Sequence, residues 1–218
     1  MLYIVATPIG NLEDISLRAL RILKEVDCIA AEDTRHIQIL LKKYEIQNRL
    51  ISFHAYSDDR KLNEIIQMLK EGKKVALVSD AGTPGISDPG YNLIKMAKDH
   101  RLPVVPIPGP AAFLTALCAS GLPTHQFLYL GFLPMKKGRQ TLLKTLENEE
   151  RTIVFYESPH RILKTLAEFS VKFPQRKIVI GRELTKIYEE FVEGTAAELL
   201  EYYKKKKPKG EFVVMMSN

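Results

Sequence analysis

A glycine- and proline-rich stretch at residues 79–90 constrains the fold of this chain more than any other feature of the sequence. It holds three glycines and two prolines in twelve residues and follows the apolar run 75–78, which is typical of a buried parallel strand. An ordinary turn between a strand and a helix needs two to six residues, so this stretch is longer than a connection requires. Ligands of open α/β sheets bind at the carboxyl ends of the strands. Residues 79–90 therefore predict a binding loop, with Asp80 at its start.

Strand and helix patterns alternate through the first half of the chain. Short apolar runs predict strands, and apolar residues at helical spacing predict helices between them. This alternation predicts a mainly parallel sheet with helices on both faces. The predicted strands are 2–6, 28–31, 50–53, 75–79 and 104–106, and the helices include 16–26, 62–71 and 111–119.

The second half predicts a separate α/β lobe with a mixed sheet. Thr195 and Glu198 have the spacing of a capping box at the start of a helix. The turn-rich segment 121–124 marks the joint between the lobes. The chain is therefore predicted to form lobes 1–120 and 121–218 with a cleft between them. Strands are predicted at 127–131, 152–156, 177–182, 189–193 and 212–216, and helices at 139–146, 160–173 and 196–203.

The composition of the chain excludes several classes of protein. No apolar run approaches the ~20 residues of a membrane helix, and the N-terminus enters a strand at once, as in a protein without a signal peptide. Two cysteines in apolar contexts predict a reduced cytoplasmic protein, and five histidines without ligand spacing predict no metal site. Residues 114–218 hold 17 basic against 12 acidic side chains, compared with 15 against 14 before them. This excess predicts a polyanionic partner, nucleic acid first.

Several familiar catalytic motifs are absent from the sequence. There is no glycine fingerprint of a dinucleotide-binding fold after the first strand, no P-loop and no nucleophile elbow of an α/β-hydrolase. What remains is a set of loops rich in proline, glycine or charge. We expect the five to lie at one sheet edge and to build a cavity. They are residues 7–11, 32–35, 79–90, 106–112 and 157–161.

Seven motifs in order carry a resemblance to a known family. They are ATPIGNL at 6–12, AEDTR at 31–35, VSDAGTPGISDPG at 78–90, IPGPAA at 107–112, FYESPHR at 155–161, GRELTK at 181–186 and KGEFV at 209–213. Together they resemble the ribosomal RNA small subunit methyltransferase I family, within the tetrapyrrole methylase superfamily. The resemblance spans essentially the whole chain.

The resemblance implies a two-lobed tetrapyrrole-methylase-like fold that binds S-adenosylmethionine in the cleft. It also implies methyl transfer to the ribose 2′-hydroxyl of a cytidine in the decoding region of 16S rRNA, the small ribosomal subunit as partner, and a homodimer. The positions that match cofactor contacts of the superfamily are Pro8, Asp80, Gly82, Thr83, Ala111, Ala112, Phe132, Leu133, Leu184, Thr185 and Gly210.

The chain departs from the family pattern at its C-terminus. Members of the family commonly carry a further helical segment after the last strand, whereas this sequence ends at Asn218. If that segment helps to grip RNA, its absence affects substrate affinity more than cofactor binding.

Methyl transfer from a sulfonium needs alignment of donor and acceptor and removal of the hydroxyl proton, with no metal. The candidate bases are Asp33, Glu157 and Glu183. The alternative role of each is that of a local ion-pair or capping group. Water or a neutral Lys186 is the alternative acceptor of the proton. The candidate phosphate contacts are Arg35, Lys136, Lys137, Arg139, His160 and Arg161. The alternative for each of these residues is that it is a solvated surface charge without an RNA contact.

Two other functions stay open at this point. One is C-methylation of a small tetrapyrrole, as in other branches of the superfamily. The other is an RNA-binding module without catalysis. The basic second half and the charged loops at 32–35 and 157–161 favour RNA over a porphyrin, and a pure RNA binder has no use for the cofactor loop at 79–90.

Overall fold

A computed structural model describes residues 1–54 and 59–218 of the chain. These residues form two compact units, Met1–Ala111 and Ala112–Asn218. The boundary between them lies nine residues before the one predicted from the sequence. The reason is packing, because the helix at Ala112–Ala119 contacts strands of the second sheet and therefore belongs to the second unit.

The first unit alternates strands and helices, as the sequence predicts. Its five strands are all parallel and lie in the order β3-β2-β4-β1-β5. Its elements are β1 (Leu2–Val5), α1 (Leu17–Glu25), β2 (Cys28–Ala31), α2 (Thr34–Lys43), β3 (Leu50–Ser52), α3 (Asp59–Lys70), β4 (Val75–Val78), α4 (Tyr91–Asp99) and β5 (Val104–Ile107), with a 3₁₀ turn at Leu12–Asp14.

Helices cover both faces of this sheet. Strand β4 shows why, because Val75 and Leu77 pack with α3 and α4 whereas Ala76 and Val78 pack with α1 and α2. Side chains of a strand alternate between its faces, so both faces of the buried strand are apolar. The crossovers from β1 and β2 use one face, and those from β3 and β4 use the other, as right-handed connections require. The helices that follow the neighbouring parallel strands β1 and β4 therefore lie on opposite faces of the sheet.

The second unit contains a mixed sheet in the order β6-β7-β10-β8-β9. Strands β6 and β7 are parallel, and the other pairs are antiparallel. The elements are α5 (Ala112–Ala119), β6 (Phe127–Phe132), α6 (Arg139–Leu146), β7 (Thr152–Glu157), α7 (Ile162–Lys172), β8 (Lys177–Arg182), β9 (Glu190–Gly194), α8 (Ala196–Lys206) and β10 (Phe212–Ser217).

One large core fills the space between this sheet and α6, α7 and α8. Phe155, Phe169, Tyr203 and Phe212 are among its largest side chains, and each is at least 98% buried. The predicted capping box is confirmed at the start of α8, where the Thr195 and Glu198 side chains each accept from the other residue's backbone N–H. Helix α5 packs on the opposite face of the sheet, against β7 and β10.

Across residues 1–54 and 59–218, no helix is both long enough and apolar enough to cross a membrane. The same part of the chain holds no cluster of three histidine, cysteine or acidic side chains with the geometry to ligate a metal ion.

Candidate functional site

The loops after β1 and β4 are joined at the carboxyl edge of the first sheet, where the helices that follow these two strands diverge to opposite faces. Thr7 and Gly82 exchange two backbone hydrogen bonds, both 2.9 Å long, and the Thr7 hydroxyl donates to the Ser79 carbonyl at 3.0 Å. Gly82 has a φ of +80°, a conformation that side chains rarely adopt. The carboxyl edge between β1 and β4 is the position at which open α/β sheets bind ligands.

Asp80 connects the loop after β4 to the end of a further strand, β2. Its Oδ1 accepts a hydrogen bond from the Asp33 backbone N–H at 3.0 Å, and Asp33 follows β2. The ends of β2 and β4 are thereby held together through one carboxylate. The Asp80 side chain is only partly buried, so it also faces solvent at the edge where the sequence predicts cofactor binding.

The remainder of the 79–90 loop is held in a fixed path. The Thr83 hydroxyl donates to the Pro110 carbonyl at 3.1 Å, which joins the loop to the segment after β5. Gly90, with a φ of +140°, lies so close to Leu77 and Gly85 that a Cβ there would be 3.1 Å and 3.2 Å from their nearest atoms. These contacts explain why glycine and threonine occupy the loop.

The edge carries a concentration of negative charge. Burial raises the pKa of Asp88 to about 6, with the charges of Glu32 and Asp80 adding to the effect and a hydrogen bond with Ser79 opposing it. Burial and the charge of Asp80 also raise the pKa of Glu32. Three carboxyl groups therefore influence one another at this edge. Such an environment favours a ligand with positive charge and disfavours a phosphate.

Asp33 caps helix α2. Its carboxylate accepts hydrogen bonds from the Arg35 backbone at 2.8 Å and from the Arg35 guanidinium at 2.7 Å and 3.0 Å. These bonds lower the pKa of Asp33 to about 2, which makes it a weak base. Arg35 remains 87% exposed while it makes this ion pair, so it can still reach a phosphate.

A buried polar network occupies the second unit. The Glu157 side chain is fully buried, and its two oxygens accept from the Thr165 hydroxyl at 2.7 Å and the Ser158 N–H at 2.9 Å. Arg139 donates to Thr165 at 2.9 Å and forms an ion pair of 2.6 Å with Glu168. Arg161 forms an ion pair of 3.2 Å with Glu157.

This network conflicts with three sequence expectations. Arg139 is 5% exposed, and its guanidinium is used by protein partners, which does not fit the predicted phosphate contact. Arg161 is likewise committed to Glu157 and to the Leu133 carbonyl. Glu157 has no exposed side-chain surface, which does not fit a base that meets substrate. Lys136, Lys137 and His160, in contrast, are exposed, which fits a phosphate contact and a solvated surface charge equally.

Glu183 lies in an unusual backbone turn. Its φ is +50°, and Thr185 two residues on has a φ of +64°. Non-glycine residues in this region concentrate at functional sites. Burial acts to raise the pKa of Glu183, but hydrogen bonds from Lys186 (2.9 Å) and the Glu211 N–H (3.0 Å) lower it overall.

Gly210 provides the space for this carboxylate. A Cβ at Gly210 would overlap the Glu183 carboxyl group, so glycine is required there by packing alone. Ion pairs with Glu211 and Glu183 raise the pKa of Lys186 against the opposing effect of its burial. A neutral Lys186 is therefore disfavoured as the acceptor of a proton.

The remaining residues predicted to bind cofactor lie in both units. Pro8 is buried beside Thr7, and Ala111 is partly buried at the end of the first unit. In the second unit, Leu133 and Leu184 are buried, Phe132 is 55% exposed, and Ala112 and Thr185 are partly exposed.

One prediction about the loops is wrong. Residues 157–161 follow β7 of the second sheet, so the five loops do not share one sheet edge. An open pocket does lie in the second unit, but none of the predicted site residues is among the described residues that line it. Those are Pro123, His125, Gln126, Asn148, Glu149, Glu150, Arg151 and Thr152.

Several residues that hold the site loops could not be predicted from the sequence. Thr165, Glu168 and Glu211 anchor residues that were predicted to be functional. Their partners are 8 to 29 residues away in sequence, and no local pattern signals such a contact. Thr7 was inside a motif, but its pairing with Gly82 depends on the strand order.

Comparison with known proteins defines the class. Residues 1–200 match the family model of Tetrapyrrole (Corrin/Porphyrin) Methylases. Among solved structures, a diphthine synthase aligns over 99% of this chain and 89% of its own, with a TM-score of 0.77 and 15% identity. A cobalt precorrin-4 methyltransferase aligns over 99% and 94%, with a TM-score of 0.73 and 18% identity. The shared fold is that of a tetrapyrrole methylase.

Relatives with curated names identify the family to which the chain belongs within the tetrapyrrole methylases. Ribosomal RNA small subunit methyltransferase I of Thermotoga maritima is 50% identical over 216 residues, which is 99% of this chain and 97% of the relative. The protein of the same name from Escherichia coli O157:H7 is 48% identical over 219 residues, which is 99% of this chain and 77% of the relative. The chain belongs to the ribosomal RNA small subunit methyltransferase I family, and it is a methyltransferase.

Proposed function

We propose that this protein transfers a methyl group from S-adenosylmethionine to the ribose 2′-hydroxyl of a cytidine in the decoding region of 16S rRNA. The observation that carries this proposal is the 50% identity with a small subunit rRNA methyltransferase over nearly the full length of both chains. The proposal includes a homodimer that acts in the cytoplasm, where the small ribosomal subunit is found.

The carboxyl edge of the first sheet suits the cofactor. S-adenosylmethionine supplies a methyl group on a positively charged sulfur and also carries an ammonium group. The acidic edge formed by Glu32, Asp80 and Asp88 complements those charges. Gly82 and Thr83 lie within the same fixed loop, where backbone atoms can meet a ligand closely. A uroporphyrin-III C-methyltransferase with 18% identity and a TM-score of 0.68, aligned over 100% of this chain and 97% of its own, was solved complexed with S-adenyl homocysteine.

The other cofactor contacts of the proposal come from the family resemblance. Most of them are small or apolar residues, which suits the adenosine and methionine portions of the ligand. They are Pro8, Ala111, Ala112, Phe132, Leu133, Leu184, Thr185 and Gly210.

Among the three carboxylates predicted as bases, Glu183 is the one we retain. Hydrogen bonds with Arg35 lower the pKa of Asp33 to about 2, and Glu157 is enclosed by protein. Against the effect of burial, hydrogen bonds from Lys186 and the Glu211 N–H lower the pKa of Glu183 as well, so the choice of Glu183 rests on its exposure and its backbone. Glu183 is partly exposed, and the strained backbone at Glu183 and Thr185 holds it in a defined orientation. In the proposal its carboxylate accepts the ribose hydroxyl proton as the oxygen attacks the methyl group.

RNA binding in the proposal uses exposed cations. Lys136 and Lys137 project from the segment between β6 and α6, and His160 is exposed in the segment between β7 and α7. Arg35 adds a charge at the first sheet. Phosphate contacts of this kind position RNA and carry no sequence information themselves.

Methyl transfer from labelled S-adenosylmethionine tests the proposed function. The purified protein is incubated with unmethylated small ribosomal subunits, with free 16S rRNA and with uroporphyrinogen in separate reactions. We expect label in the rRNA of one or both RNA substrates and none in the tetrapyrrole. Label in the tetrapyrrole alone would establish the alternative C-methyltransferase, and RNA binding without label would establish a non-catalytic binder.

A further inference from the structure

The segment at residues 133–138, between β6 and α6, is held by two arginines. The Arg161 Nη2 donates to the Leu133 carbonyl at 2.6 Å, and the Arg139 Nη1 donates to the Pro134 carbonyl at 3.2 Å. Two consecutive backbone carbonyls are thus fixed by two separate guanidinium groups. Lys136 and Lys137 follow directly and are exposed, as is Met135.

The arginines are themselves held by two carboxylates, the fully buried Glu157 and the partly exposed Glu168. Glu157 pairs with Arg161 and, through the Thr165 hydroxyl, with Arg139, while Glu168 pairs with Arg139 directly. The two positive and two negative charges balance. A buried charged network is stable only when each member is paired, so loss of one member loosens the others.

Such a network is more than packing requires. Well-packed apolar side chains would hold the sheet and helices at least as well, because burying ion pairs carries a large desolvation cost. What apolar side chains cannot do is donate hydrogen bonds to the Leu133 and Pro134 carbonyls. The network therefore fixes the backbone path of residues 133–138, where Gly138 has a φ of +81° and ends the segment.

We propose that Arg139 and Arg161 are positioning residues for RNA binding, acting through Lys136 and Lys137. This inference rests on the proposed function and deepens it. The arginines do not touch RNA. They hold the 133–138 segment in one conformation, so that the two lysines reach phosphates without a loss of conformational entropy on binding.

A double-mutant cycle distinguishes positioning from direct contact. Arg161→Gln is made in the wild-type protein and in the Lys136→Ala/Lys137→Ala variant, and the Michaelis constant for the small-subunit RNA substrate is measured. If Arg161 acts through the lysines, its substitution raises the constant about fivefold in the first background and has no effect in the second. The turnover number kcat, measured at saturating S-adenosylmethionine, stays near its wild-type value in both backgrounds, so the effect lies in the Michaelis constant for RNA.

Arg176→Gln is the matched control. Arg176 also donates to two backbone carbonyls, those of Glu147 and Glu149, but at a different segment of the second unit. We expect it to lower the melting temperature by a similar amount while leaving the Michaelis constant for RNA unchanged. An equal fivefold effect of Arg161→Gln in both backgrounds, or no effect in either, overturns the inference.

Limited trypsin digestion gives a second readout that needs neither RNA nor activity. Trypsin cleaves after Lys136 and Lys137 only if the segment opens. Arg161→Gln and the milder Arg161→Lys should speed cleavage at these two sites, whereas Arg176→Gln should not. Cleavage at the wild-type rate in both Arg161 variants would contradict the inference. Failure of the wild-type protein to methylate rRNA would instead reject the proposed function and leave this digestion result unaffected.

Discussion

The Asp80 carboxylate accepts a hydrogen bond from the backbone N–H of Asp33, at 3.0 Å, across 47 residues of sequence. This bond joins the ends of β2 and β4 and gives Asp80 two roles. One oxygen holds the two loops together, and the negative charge remains at the edge proposed to bind the cofactor. The two roles are separable because asparagine keeps a side-chain oxygen for the Asp33 N–H but lacks the charge.

Substitution of Asp80 tests the cofactor site. We expect Asp80→Ala to weaken binding of S-adenosylmethionine at least tenfold, since a charge-assisted hydrogen bond contributes about 1.5–3 kcal/mol. Asp80→Asn should also weaken binding but leave the melting temperature near that of the wild type. Isothermal titration calorimetry measures the affinities. Wild-type affinity in both variants would remove Asp80 from the site.

Replacement of Lys136 and Lys137 by alanine tests the RNA contacts. The slope of the logarithm of the RNA binding constant against the logarithm of the salt concentration should fall in magnitude. The expected decrease is about 0.9 per lost phosphate contact on duplex-like RNA, or about 0.7 on a single strand. Cofactor affinity should stay unchanged. The exposed pair Lys42 and Lys43, at the end of α2, serves as a control whose replacement should leave the slope unaltered. An unchanged slope in the Lys136→Ala/Lys137→Ala protein would show that these side chains do not contact phosphates.

Glu183 and Glu157 should respond differently to loss of charge. Glu183→Gln is expected to lower single-turnover methylation at least tenfold, with RNA and cofactor affinities retained, because a positioned base contributes roughly 10²–10⁴-fold. Glu157→Gln should instead lower the free energy of unfolding by about 3 kcal/mol, because it removes the fully buried carboxylate that pairs with Arg161 and accepts from Thr165. Denaturant unfolding and rapid-quench kinetics separate the two effects. If the Glu183→Gln protein methylates at the wild-type rate, Glu183 is not the base. Catalysis would then rest on the alignment of the methyl donor and the ribose hydroxyl, with water as the acceptor of the proton.

Asp88 predicts how stability varies with pH. Its pKa is about 6 in the folded protein and close to the ordinary 3.8 when unfolded, so the folded state binds the proton more tightly. The contribution to stability is full below about pH 4 and is lost as the pH rises through 6. Because Asp88 is partly exposed, solvent screening limits this contribution to about 1 kcal/mol.

The substitution Asp88→Asn should flatten the pH dependence of stability between pH 4 and 6. Urea unfolding across this range measures the slope, and Asp14→Asn, at an exposed position, is the control. A steep fall in stability that persists in Asp88→Asn would assign the titration to another group, with Glu32 as the first candidate.

Local patterns in the sequence predicted much of the fold. The strand 177–182 and the helix 139–146 have the predicted bounds, because apolar spacing and glycine boundaries are local signals. The alternation of strands and helices implied helices α2 and α4, but no bounds were predicted for them. Each begins directly beside a loop that the sequence marked as functional, at Thr34 and Tyr91, and the loop signal hid the helix start.

Contacts between distant residues could not be predicted from local patterns. Arg139 follows Lys136 and Lys137 and has the appearance of a surface cation, yet Glu168 and Thr165 on the next helix bury it. Only the packing of α6 beside α7 reveals this, since the partners are 26 and 29 residues away. The position of residues 157–161 after β7 likewise depends on which strands share a sheet.

The most direct test of the proposed function is to map the methylated nucleotide. Small subunits lacking the modification are methylated by the purified protein, and the rRNA is hydrolysed with alkali, which does not cleave the bond after a 2′-O-methylated ribose. We predict one protected linkage, at a cytidine in the decoding region of 16S rRNA, which is lost with Asp80→Ala. A methyl group on a base, on another region of the rRNA or on no RNA would contradict it.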